Sequence, residues 1–156
     1  MKLVKESLGQ TFTRGTDDKL SSIGIGKRGM IKNWLDKYGI LNYTINEDDS
    51  IDVSGNVRLI DLGLNEFPDY IQFGDVIGSF WMYRNNFTSL KGCPTYVVDN
   101  FDCEENNLKN LKYAPKRVDG NFYCRENYLE HPDSIVKRFD KRVKGAVLVY
   151  PQNKKP

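Results

Sequence analysis

With one histidine, three cysteines and two tryptophans among 156 residues, the chain is short of the groups that several chemistries require. The lone His131 leaves no second imidazole for a zinc set, and no C-x-x-C pair supplies thiols at ligand spacing. An odd number of cysteines does not close a disulfide framework. Long hydrophobic runs are also missing: the stretch Gly145 to Pro151 is far too short to span a bilayer. Lys2, Lys5 and Glu6 open the chain among polar neighbours, without a signal or transit pattern, so the expected location is the cytoplasm. No cofactor or metal is expected.

What is present suffices for one domain. Hydrophobic residues make up 39% and charged residues 28%, enough to bury a core and keep a solvated surface. The 23 basic and 21 acidic residues nearly balance, but unevenly along the chain. Residues 51–130 hold eight basic and twelve acidic side chains, whereas residues 131–156 hold seven basic and two acidic ones. An acidic middle argues against a groove that tracks a nucleic-acid backbone. The basic cluster Lys137, Arg138, Lys141, Arg142 and Lys144 reads as a solvated face near a helix C-terminus.

A repeat dominates the sequence. Phe80, Phe101 and Phe122 recur at 21 residues, as do Met82, Cys103 and Cys124, then Asn85, Asn106 and Asn127, then Phe87, Leu108 and Leu129. Leu90 and Leu111, Pro94 and Pro115, and Val97 and Val118 continue the phase. An earlier, looser unit aligns Val57, Leu59, Leu64 and Phe67 with Phe80, Met82, Phe87 and Leu90 if two residues are added to its return arm. Period-2 alternation sends Phe80 and Met82 inward and Trp81 and Tyr83 outward. At each turn the Asn amide, both donor and acceptor, satisfies backbone groups that a buried turn would strand. Pro94 and Pro115 make the return arm extended rather than helical or central strand.

These units cannot bury their apolar faces alone, so stability comes from stacking, and the flanks read as caps. Met30, Ile31, Trp34, Leu35 and Tyr38 share one face of a helix spanning roughly Lys27 to Tyr38, with Gly39 as its left-handed stop. Tyr43 to Ile45 and Ile51 to Val53 form a hairpin, Pro132 opens a terminal helix, and Ala146 to Tyr150 is a last strand. The expected organisation is an N-terminal arm over 1–22, a helical and hairpin cap over 23–55, coils over 56–131, and a C-terminal cap with basic tail over 132–156. The fold class is α+β, a short solenoid of three to four parallel-stranded coils.

Cys103 and Cys124 occupy the inward slot held by Met82 and are expected to be core thiols; Cys93, beside Pro94, is the thiol expected nearest the surface. Gly24 to Gly29 lacks the Gly and the Ser or Thr that a phosphate loop requires. No nucleophile is paired with His131, and Asp102, Glu104, Glu105 and Glu126 stand in a row on an open surface, so a non-enzymatic protein is expected. The outward face remains: one column reads Arg58, Trp81, Asp102, Tyr123, its neighbour Ile60, Tyr83, Glu104, Arg125, and a third Asn56, Ser79, Asn100, Asn121. Exposed Trp, Tyr and Arg are the residue types that dominate interface energetics, which makes the first two columns the candidate partner-binding surface. The alternative is that aromatics merely suit strands, or that the N-terminal arm folds over them.

The pattern Ile77-x-x-Phe80-x-Met82-x-x-Asn85-x-Phe87, repeated from Val98 to Leu108, resembles the leucine-rich-repeat family. More narrowly, the chain resembles small leucine-rich-repeat-like proteins of tailed bacteriophages. The shared segments are Val4 to Leu8 with Phe12 and Arg14-Gly15, Ile23 to Gly26, Asn42 to Asn46 through Ile51 to Val53, Phe67 to Gly74, and Asn85 to Pro94. The resemblance carries over no catalytic residue. It implies a protein partner, either a host regulatory or defence protein in the host cytoplasm or, alternatively, a virion structure to which the N-terminal arm ties the domain. Single-strand nucleic-acid binding through Trp81, Tyr83 and Tyr123 ranks third, given the acidic middle.

Overall fold

A computed structural model describes residues 25–155. The expected N-terminal arm, 1–22, therefore lies outside the described residues. Helix α1 (Lys27–Lys37) buries Met30, Ile31, Trp34 and Leu35, the stripe that its 3.6-residue period presents to one side. Its end is a Schellman turn: Gly39, at φ +66°, donates to Asp36 O at 3.1 Å, and Ile40 donates to Leu35 O at 2.9 Å. Strands β1 (Tyr43–Ile45) and β2 (Ile51–Val53) pair antiparallel as a hairpin. Arg28 ties the helix to the hairpin tip, donating to Asn46 O at 2.6 Å and pairing with Asp49 at 3.1 Å.

From β2 onward the chain winds as a parallel β-solenoid of about five turns. One sheet runs β1, β2, β4 (Phe73–Val76), β6 (Tyr96–Val97), β8 (Arg117–Val118); all its pairings after the hairpin are parallel. The other runs β3 (Val57–Arg58), β5 (Phe80–Trp81), β7 (Phe101–Asp102), β9 (Phe122–Tyr123), β10 (Val147–Leu148), all parallel. Val57 pairs with Phe80, so the looser first unit stacks in the phase that two added residues require.

Two features differ from the sequence expectation. Each turn has two strands, because the return arm passes Pro94 or Pro115 and then enters β6 or β8. Two-residue strands are too short for alternation to reveal them. The turns also number about five rather than three to four. After helix α2 (Pro132–Phe139) the winding resumes: Val143 bridges Val118, and Val147 pairs with Phe122. The helix replaces the return arm and stretches the local period from 21 to 25 residues (Phe122 to Val147).

In-register stacking places like residues one strand spacing apart. Phe80, Phe101 and Phe122 form a ladder with centroid separations of 5.8 and 5.1 Å, continued by Phe139 of α2 at 5.1 Å from Phe122. At the other end Phe73 lies 5.1 Å from Phe80, and Trp34 of α1 contacts Phe67 and Phe73.

The corners are held by side-chain amides. The oxygens of Asn85, Asn106 and Asn127 accept from Leu64, Phe87 and Leu108 N–H at 3.0 to 3.1 Å, while their NH2 groups donate to carbonyls of their own and the preceding turn. The column Asn56, Ser79, Asn100 and Asn121, expected on the outward face, is a second corner ladder. Its side-chain oxygens accept from the N–H of Ser79, Asn100, Asn121 and Ala146 at 2.8 to 3.2 Å. All three thiols are buried, Cys93 included, at 2% exposure with its Sγ 3.5 Å from Met82 Sδ. Cys93 precedes β6 in the return arm, and its side chain belongs to the core cluster.

Candidate functional site

The sheet built from β3, β5, β7, β9 and β10 sets the first outward column in register: Arg58 beside Trp81, Trp81 beside Asp102, Asp102 beside Tyr123. Main-chain bonds beyond the strands carry the register to the second column, with Asp61 N–H to Tyr83 O at 3.2 Å, Arg84 N–H to Glu104 O at 3.1 Å and Glu105 N–H to Arg125 O at 3.2 Å. Arg84, Glu105 and Glu126 then take left-handed φ values of 59°, 51° and 55°. That conformation turns the chain sharply into the asparagine corner, so the outward face ends there.

Arg58, Trp81, Tyr83, Asp102, Glu104 and Tyr123 line one surface depression of about 460 Å³. Of the sequence-predicted residues, Arg125 stands at its edge through Glu104, whereas Ile60, half-buried, does not line it. Asn100 and Glu105 line it as well and were missed as site residues. The repeat itself could have found Glu105, since it follows Glu104 just beyond β7.

Charges in the depression are largely paired within the chain. The Arg58 guanidinium lies 4.8 Å from the centroid of Trp81. Arg125 grips Glu104 with two bonds, one from Nη2 to Oε1 at 2.9 Å and one from Nε to Oε2. Arg84 approaches Glu105 at 3.9 Å. Asp102 differs: its Oδ1 accepts the Glu104 N–H at 3.0 Å, and it makes no ion pair among the described residues. Burial, reinforced by the neighbouring Glu104 charge, pushes its carboxyl up to about 6. Tyr123 is fixed by Asn121, whose Nδ2 donates to the phenol oxygen at 3.0 Å.

Chemically, the depression offers aromatic faces and one desolvated carboxylate to a cationic or amphipathic group. Elsewhere the thiols are held protonated by burial, Cys124 up to about 12. Among the described residues, no group of three or more His, Cys, Asp or Glu side chains is placed to hold a metal ion. No helix among them is long and apolar enough to cross a membrane. His131 takes a left-handed φ of 53° at the start of α2.

No family model, curated protein or solved structure matches this chain.

Proposed function

We propose that the chain is a non-enzymatic protein-interaction scaffold. In this reading it is a short leucine-rich-repeat-like solenoid, closed at one end by α1 with the β1–β2 hairpin and at the other by the last turn, which carries α2 and β10. Its partner docks on the face of β5, β7 and β9. The single observation that supports this is the gathering of Trp81, Tyr83 and Tyr123 with Arg58, Asp102 and Glu104 around one depression on a regular sheet. Rigid parallel strands hold these side chains in place before binding, which lowers the ordering cost of an interface. Large aromatics and arginine at such a centre each contribute on the order of 2 kcal/mol or more. The resemblance to tailed-phage proteins favours a host regulatory or defence protein, met in the host cytoplasm.

Affinity capture from host lysate tests the reading, with wild-type protein beside the Trp81→Ala, Tyr123→Ala double variant. A protein retained by wild type and lost from a folded double variant is the expected result. Identical profiles would overturn this face as the docking surface.

A further inference from the structure

We propose that the depression seats an arginine of the partner, its guanidinium lying between the rings of Trp81 and Tyr123 and bonding the carboxylate of Asp102. The inference rests on the scaffold reading and adds the chemistry of the contact. Trp81, Asp102 and Tyr123 are consecutive rungs of one column, so the two aromatic residues stand two strand spacings apart, about 10 Å. A planar group between two rings needs about 7 Å, two contacts of about 3.5 Å each. The short aspartate between them leaves a gap in the column, within the shared depression, that is wide enough to admit one guanidinium.

The second column shows within the chain what the first lacks. Glu104, two residues after Asp102, faces Arg125 on the next turn and is gripped by it bidentately. At the matching position Asp102 faces Tyr123 and makes no ion pair among the described residues; Arg125, whose charge reaches it, is gripped by Glu104, and Arg58 lies against Trp81. Glu105 has Arg84, so Asp102 is the wall carboxylate open to a partner's charge. That the aromatic wall accepts a guanidinium is visible in Arg58, seated 4.8 Å from the Trp81 centroid. A planar donor fork matches both a carboxylate and a ring face, which a lysine ammonium does not.

The test titrates 15N-labelled full-length protein with Nα-acetylarginine amide, and separately with Nα-acetylcitrulline amide, its uncharged isostere. Expected are saturable shifts at the Trp81 indole N–H and the Asp102 and Tyr123 amides for the arginine probe, with citrulline at least about tenfold weaker. Asp102→Asn, which keeps an acceptor for the Glu104 N–H, should weaken the arginine probe by about tenfold or more. Equal binding of the two probes, shifts centred elsewhere, or an unaffected Asp102→Asn variant would overturn the proposal. If that variant fails to fold, the comparison of probes on wild type still decides. A partner lost from the Trp81→Ala, Tyr123→Ala protein but kept by Asp102→Asn would refute the arginine seat and leave the scaffold reading standing. A specific arginine response beside a partner indifferent to the double variant would do the reverse.

Discussion

Gln152 does in the last turn what Asn127 does in the turn before it. The Asn127 oxygen accepts the Leu108 N–H at 3.0 Å, and the Gln152 oxygen accepts the Leu129 N–H at 3.0 Å. Each NH2 donates to the carbonyl of the preceding turn, Cys103 for Asn127 at 3.0 Å and Cys124 for Gln152 at 2.9 Å. Gln152 carries one more methylene, and the corner it fills follows a turn lengthened by α2. The ladder is thus a set of buried amides that join turns where no strand does.

Cutting this ladder in the middle should therefore be costly. Asn106→Ala strands the Phe87 N–H in a buried corner and leaves the carbonyls of Met82 and Cys103 with one amide donor each, from Asn85 and Asn127, and should destabilise the fold by about 1 to 3 kcal/mol. Gln152→Ala, half-buried at the end of the solenoid, should cost about 1 kcal/mol. Urea denaturation of both variants gives the comparison.

Inward and outward positions on neighbouring strands should behave oppositely. Phe101 is fully buried between Phe80 and Phe122, and Phe101→Ala should lose about 3 to 5 kcal/mol as a core cavity. The half-buried Trp81 gives up mainly the Arg58 contact, so Trp81→Ala should lose about 1 kcal/mol. Calorimetric melts that ranked the two equally would reverse the inward and outward assignment of β5 and β7.

A methyl group at Gly120 has nowhere to go. Its carbon would meet Asp99 O and Asn100 Oδ1 at 2.5 Å, both belonging to the preceding turn. Gly120→Ala should push two turns apart, weaken the Asn121 N–H to Asn100 bond, and cost about 1 to 3 kcal/mol. Faster amide exchange at Asn121 and Phe122 than in wild type would report the separation directly.

The raised carboxyl of Asp102 gives stability a pH signature. Facing it are Arg58 from β3, Glu104 and Glu105 beyond β7, and Arg125 beyond β9. Its folded value of about 6 lies above the unfolded one of about 4, so the folded chain binds this proton more tightly between those values. The stability contributed by this group therefore increases as pH falls through about 6, levels off below about 4, and is absent at neutral pH. Asp119, held down to about 2 by Arg117 and Tyr96, acts in the opposite sense, so wild type must be compared with Asp102→Asn. With solvent screening discounted, Asp102→Asn should be up to about 1 kcal/mol more stable at pH 7.5, roughly 2 to 4 °C in Tm. The gain should shrink toward pH 4; a difference constant across that range would contradict a raised carboxyl.

Much of this architecture was legible in the residues themselves. The 21-residue recurrence of Phe, of Met or Cys, and of Asn dictates parallel strands in register, with Phe101 inward and Trp81 outward, because like residues stack only when every turn has the same length. Local rules sufficed for α1, whose apolar stripe ends at Gly39, for the β1–β2 hairpin, and for the helix opened by Pro132. The candidate face followed from the same period, since alternation about Phe80 and Phe101 sends Trp81 and Asp102 to one surface. Tertiary structure alone decided the second sheet, the fifth turn, the burial of Cys93, the corner role of Asn56 and Asn100, and the lack of an ion pair at Asp102 among the described residues. Most of these depend on a contact across one turn or between two, as in Cys93 to Met82, 11 positions apart, and Gln152 to Cys124, 28 apart. No local pattern of hydrophobicity or propensity encodes such a contact. Two-residue strands carry too little alternation, and a glutamine can replace an asparagine only once α2 has changed the length of the turn before it.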